Sequence, residues 1–189
     1  MNQTEERIFF DVAFKGLKKE DDTLQVLFAS NSNIPDYKTQ STGITFLGLR
    51  EESLVYVVFK ALLQSNFPYQ VCLERNYPNT EKKADITFLE NSEVNSFCEF
   101  KVWRKEDVSD IQKDIEKYKA LKVSDDKYLM IIEVSGGDMQ ENVDYLKTNL
   151  PSTKVLHYAD FPTKIFNEKL QAFENVTGKL YLIKVIFWA

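Results

Sequence analysis

The sequence predicts an α/β layer structure, and three observations carry that expectation. Leu54, Val55, Val58, Phe59, Ala61 and Leu62 recur at helical spacing between Arg50 and Gln64, and Asn66-Phe67-Pro68 stops the run. Three apolar segments with strand character follow, Tyr69 to Arg75, Ala84 to Leu89 and Phe97 to Trp103. A charged helix from Val108 to Lys122, with Ile111, Ile115, Tyr118 and Leu121 on one face, then leads into Tyr128 to Val134. That last segment is almost wholly apolar, the pattern of a strand covered on both faces. Helix, three strands, helix, strand is the order of a mixed central sheet flanked by helices.

The flanking segments are read as additions to this unit. Ile8 to Phe14 and Leu24 to Ala29 look like two strands joined by a charged turn, Lys18-Lys19-Glu20-Asp21-Asp22, an N-terminal β extension within residues 1–45. Ser30 to Gly43 reads as a long polar loop. Residues 135–189 form C-terminal α/β additions: a helix ending before Pro151, a strand from Val155 to Tyr158, a helix from Pro162 to Phe173 and a strand from Leu180 to Trp188. If that last strand lies at an edge, it can pair with a second copy.

At 189 residues, 43% hydrophobic and 28% charged, the chain has the composition of one globular domain with a core of its own. No apolar run reaches the length of a membrane span, so no membrane partner is expected. The polar, acidic start, Met1 to Arg7, does not read as a secretory signal. The two cysteines, Cys72 and Cys98, lie in apparent strands as buried thiols, and a reducing, cytoplasmic setting is expected. A net charge of −5 argues against tight gripping of nucleic acid by a broad basic surface, though a local basic groove is compatible with it. His157, the only histidine, rules out a histidine-based zinc cluster or catalytic triad.

One segment carries chemistry. In Cys98-Glu99-Phe100-Lys101-Val102 an acid and a base interrupt an apolar strand, and strand alternation points Glu99 and Lys101 to the same face, roughly 6.6 Å apart. Burying both charges is costly unless they are paired or bind something. Glu-x-Lys alone is a weak signal: Glu81-Lys82-Lys83 repeats it in a polar stretch after the turn Tyr77-Pro78-Asn79-Thr80. Context separates the two. Asp85 opens the preceding strand fourteen residues before Glu99, and Glu51-Glu52 opens the helix before that. Glu51 continues the buried stripe of Val55 and Val58, while Glu52 precedes Phe59 by seven and shares the adjacent stripe, so either can be the helical acid.

With these residues in this order, the stretch from Arg50 to Val134 resembles the core of the PD-(D/E)XK nuclease superfamily, the restriction endonuclease-like fold. It departs from the family's pattern at Ala84, which stands in place of the proline. The resemblance implies a metal-dependent nuclease hydrolysing phosphodiester bonds, with DNA a better expectation than RNA. Asp85, Glu99 and Glu51 would hold Mg²⁺ or Mn²⁺, hard ions that take oxygen ligands. Lys101 would orient the attacking water, contact the phosphate or act as base. Two sites cutting two strands would suit a homodimer, and the N-terminal strands with the Ser30 to Gly43 loop would be the insertion that supplies specificity. The alternative is a catalytically weak or inactive module of the same fold that binds nucleic acid or protein within a larger assembly.

Other polar groups have plainer readings. Lys82 and Lys83 sit in a solvated turn, although they could touch backbone phosphates, and Arg104 and Lys105 follow the active strand. Gln112 and Lys113 occupy the place where relatives sometimes carry an auxiliary polar residue, but the alternating charges there suit a solvated face. Ser135-Gly136-Gly137-Asp138 lacks the ending of a phosphate loop, and Asp138 reads as a helix N-cap.

Overall fold

The computed structural model describes residues 1–31, 50–103, 108–120, 126–133, 138–167 and 172–186. Its first element corrects the N-terminal expectation. Residues Gln3–Asn31 form one α-helix, α1, not two strands and a turn. Phe9, Phe10, Ala13, Leu17 and Asp21 are all buried, at the three-to-four-residue spacing of a single helical stripe. A reciprocal cap starts the helix: Asn2 Oδ1 accepts from the Glu5 backbone N–H, and the Glu5 carboxylate accepts from that of Asn2. The charged run 18–22 is helix surface, with Lys18 paired to Asp22 one turn on. Asp21 turns inward and accepts from the Thr163 hydroxyl, 142 residues away.

Helix α2 (Glu51–Leu63) buries Leu54, Val55, Val58 and Leu62. It crosses α1 closely at Gly16, where a Cβ would lie 2.6 Å from that of Ala61. Strands β1 (Gln70–Asn76), β2 (Lys83–Glu90) and β3 (Glu93–Trp103) then form an antiparallel meander. Helix α3 (Ser109–Ala120) crosses over to β4 (Asp126–Glu133), which pairs with β3 in parallel. Helix, three strands, helix, strand is therefore the observed order over 50–133.

The sheet has six strands in the order β1-β2-β3-β4-β6-β5. Helices α1 and α2 pack on one face, against Ile86, Phe88, Cys98, Phe100, Met130 and Leu182. Helices α3 and α4 (Met139–Asn149) pack on the other, against Phe97, Trp103, Leu129, Ile131, Tyr181 and Ile183. Strand β4 is buried on both faces, which accounts for its unbroken apolar sequence.

The C-terminal region needs two corrections. The helix expected from Pro162 is absent over its described part; β5 runs Thr153–Asn167 and pairs along its length with β6 (Ala172–Val185). Phe161 and Thr163 are buried while Pro162 and Lys164 are exposed, which is a strand's period of two. Proline is tolerated because β5 is an edge strand, with no ladder to donate to on its outer side. Strand β6 lies inside the sheet, so its edge is not open to a second copy. The loop at 30–43 and the glycine turn at 135–137 lie largely or wholly outside the described residues. No helix among the described residues is long and apolar enough to cross a membrane.

Candidate active site

The site forms where strand β2 leaves β3. The β2–β3 ladder ends at Ile86↔Cys98, while β3 stays paired to β4 as far as Trp103. Residues 99–103 therefore have a free edge, and carboxylates cap it. Asp85 Oδ2 accepts from the Phe100 N–H at 2.7 Å, and Glu51 Oε2 accepts from the Val102 N–H at 3.3 Å. Two acids do the work of a missing strand's carbonyls.

Register brings Asp85 to Glu99. The β2–β3 hairpin turns through Asn91 and Ser92, both with positive φ (51° and 71°), as a two-residue primed turn requires. A bulge follows, because Leu89 faces Val94 whereas Phe88 faces Ser96, leaving Asn95 as the extra residue. Extended past Ile86↔Cys98, this register sets Asp85 opposite Glu99. Without the bulge Asp85 would oppose the core residue Cys98.

Glu99 is 3% exposed. Its Oε1 accepts from the Tyr77 hydroxyl and from the Lys117 ammonium. Burial, reinforced by the nearby Asp85 charge, raises the Glu99 pKa to about 7 against the pull of those two donors. Tyr77 reaches Glu99 from the β1–β2 connection, in which Pro78 is followed by Asn79 at φ 60° and the Thr80 N–H bonds to the Tyr77 carbonyl. Burial and the Glu99 charge hold the Tyr77 phenol far above its usual value.

Lys101, on the same face, is paired twice. Its Nζ lies 2.8 Å from Glu51 Oε1 and 3.3 Å from Asp114 Oδ2. Burial opposes its charge, but the hydrogen bond to Glu51 and the charge of Asp114 outweigh that and raise its pKa above the ordinary lysine value. Asp114 Oδ2 is buried and off the line of a hydrogen bond from Lys101, close enough for charge attraction only. Burial raises the Asp114 carboxyl as well.

All four sequence-chosen residues thus lie along this edge, and of the two helix acids Glu51 reaches it through Lys101 and the Val102 N–H while Glu52 is exposed. Two residues of the site come from α3 and were not singled out in the sequence. Asp114 and Lys117 flank the buried stripe of Ile111, Ile115 and Tyr118, while Gln112 and Lys113 face solvent. The signal was their phase, since Asp114 stands three residues after Ile111 and four before Tyr118. Lys82 and Lys83 are exposed, with Lys83 paired to Glu74. Asp138 caps α4 through the Gln140 and Glu141 N–H groups, and His157 lies on β5 against the Phe10 ring. Cys72 and Cys98 are free thiols, and Arg104 and Lys105 lie outside the described residues.

The donor set is all carboxylate oxygen, which suits a hard divalent ion. The arrangement does not present it: among the described residues no three acids come together as a ligand group. Lys117 stands on Glu99, and Lys101 stands between Glu51 and Asp114. Comparison with known family models, curated proteins and solved structures found no match.

Proposed function

We propose that the protein hydrolyses phosphodiester bonds as a nuclease of the PD-(D/E)XK class, with a restriction endonuclease-like core over residues 50–134 and DNA as the substrate. The observation that carries the reading is the meeting of Glu51, Asp85, Glu99 and Lys101 at one free strand edge, although they come from three separate elements. Chance occurrence of an acid-x-lysine triplet does not bring the other two acids to it.

The chain's own residues suit the chemistry. Lys101, on the same face as Glu99, could orient the attacking water or contact the phosphate. The Lys101 and Lys117 ammonium groups supply positive charge for a phosphate entering from the open edge. Mg²⁺ or Mn²⁺ is the proposed cofactor, with Asp85, Glu99 and Glu51 as its acids, and it would have to displace lysine contacts to bind.

A second reading is a non-catalytic module of the same fold. The bonding within the site favours it, because Glu51, Asp85 and Glu99 already accept from a cationic or backbone donor and Asp114 lies against the Lys101 charge. A cleavage assay on plasmid and single-stranded DNA with Mg²⁺ or Mn²⁺ separates the two. Wild type is expected to cut and Glu99→Gln to fall by at least about a hundredfold. Intact DNA with the folded wild type would favour the module.

A further inference from the structure

Helix α2 packs on the fold through two of its flanks. The sheet takes Leu54, Val55, Val58 and Leu62, and α1 lies against Val57 and Ala61, which Gly16 approaches closely. Glu52, Tyr56, Phe59 and Leu63 make up a third flank, spaced by four, three and four residues as one stripe along the helix. Tyr56 is 58% exposed and Leu63 60%, with Phe59 half-buried between them against the core. Single exposed apolar side chains need no partner, but two large ones joined by a third make a patch, the mark of an interaction surface. The charges on the flank say which partner fits. Glu52 lies in the first turn and Lys60 eight residues on, both exposed, and among the described residues neither makes an ion pair. About 12 Å of helix separates them, too far to pair with each other.

We infer that this flank is a self-complementary interface on which a second copy of the chain docks, α2 against α2 and antiparallel about a twofold axis. Each copy then covers the other's Tyr56, Phe59 and Leu63, and its Glu52 is drawn to the Lys60 of the other at both ends of the contact. Parallel docking would set acid against acid and base against base. The charges therefore select the antiparallel arrangement, as the opposed helix dipoles also do. One helix flank from each copy is a small interface, and the association is weak, with a dissociation constant on the order of 10–100 µM. Glu51 neighbours Glu52 at the N-terminus of α2, so docking sets the two copies' candidate sites near opposite ends of the paired helices. The interface stands on the α2 flank alone and holds whether or not those sites cut DNA.

Sedimentation velocity of the full chain at low salt, from about 5 to about 500 µM, tests it. The variants are Tyr56→Glu, Glu52→Lys and the swap Glu52→Lys/Lys60→Glu, each with a thermal melt to confirm folding. Wild type is expected to shift from monomer to dimer across that range, and Tyr56→Glu to stay monomeric throughout. Glu52→Lys turns two attractions into two repulsions and should weaken the dimer at least about fivefold. The swap should restore the wild-type constant to within about twofold. A monomeric wild type at every concentration would overturn the interface and leave the flank to another partner. A dimer that Tyr56→Glu and Glu52→Lys leave unchanged would overturn it too, placing the contact elsewhere. A swap no tighter than Glu52→Lys alone would overturn the antiparallel pairing.

Discussion

Two charged clusters lie under the same face of the sheet, and they differ in balance. Near the carboxyl end of β4, Glu133 is fully buried and forms an ion pair with Lys179 Nζ at 3.2 Å, while Asn142 Nδ2 and the Tyr181 hydroxyl donate to its Oε2. Lys179, the cation that meets it, is 2% exposed. At the free edge of β3, among the described residues, Lys101 meets Glu51 and Asp114, Lys117 meets Glu99, and Asp85 accepts from the Phe100 N–H; of these four acids only Glu99 is buried. A closed, balanced pair can do little but hold the fold together. In the partly open cluster burial is the main cause that raises the Glu99 and Asp114 carboxyls, with the Asp85 charge adding to it.

Breaking the sealed pair should have the largest effect. Lys179→Met leaves Glu133 buried without its cation and is expected to cost about 3–5 kcal/mol in urea unfolding, whereas replacing both partners with apolar residues should recover most of it. A loss below about 1 kcal/mol would mean the pair is not sealed.

The open cluster should announce itself through pH. The folded state holds the Glu99 proton up to about pH 7, and the unfolded chain releases it near the ordinary glutamate value of 4.5. The raised value therefore contributes stability that is fully present below pH 4.5 and lost as pH rises through 7. Its size is on the order of 3 kcal/mol, at about 1.36 kcal/mol per unit. Glu99→Gln should flatten that slope in denaturation midpoints between pH 5 and 8. A slope equal to that of wild type would show that Glu99 is ionised throughout.

The smallest effect belongs to Lys101, whose partners are partly solvated. Lys101→Met should cost about 1 kcal/mol, and less at high salt. A loss matching that of Lys179→Met would erase the distinction between the two clusters.

The site was more legible in the sequence than the fold around it, for a physical reason. Alternation along β3 is a local property, so the shared face of Glu99 and Lys101 and the opposed Phe100 follow from spacing alone. Asp85 was legible as the head of an apolar strand, and Glu51 by its place on the stripe of Val55 and Val58. Helix α1 was misread because Ile8-Phe9-Phe10 and Leu24 to Phe28 are short apolar runs, which suit a strand or a buried helix equally. Its stripe is explained by partners distant in the chain: Ala61 against Gly16, and Thr163 against Asp21. Residues 162–167 were misread for a similar reason, since pairing with β6 overrides local preference.

Sequence patterning was enough to set which residues share a face, which segments alternate, and hence the acid-lysine pair and its companions. Three things depended on tertiary structure. The bulge at Asn95 chose the register that sets Asp85 against Glu99 rather than Cys98. The departure of β2 freed the edge that Asp85 and Glu51 cap. The docking of α3 brought Asp114 and Lys117 over the cluster. Each is a relation between segments distant in the chain, set by how elements pack, and periodicity within one segment carries no information about it.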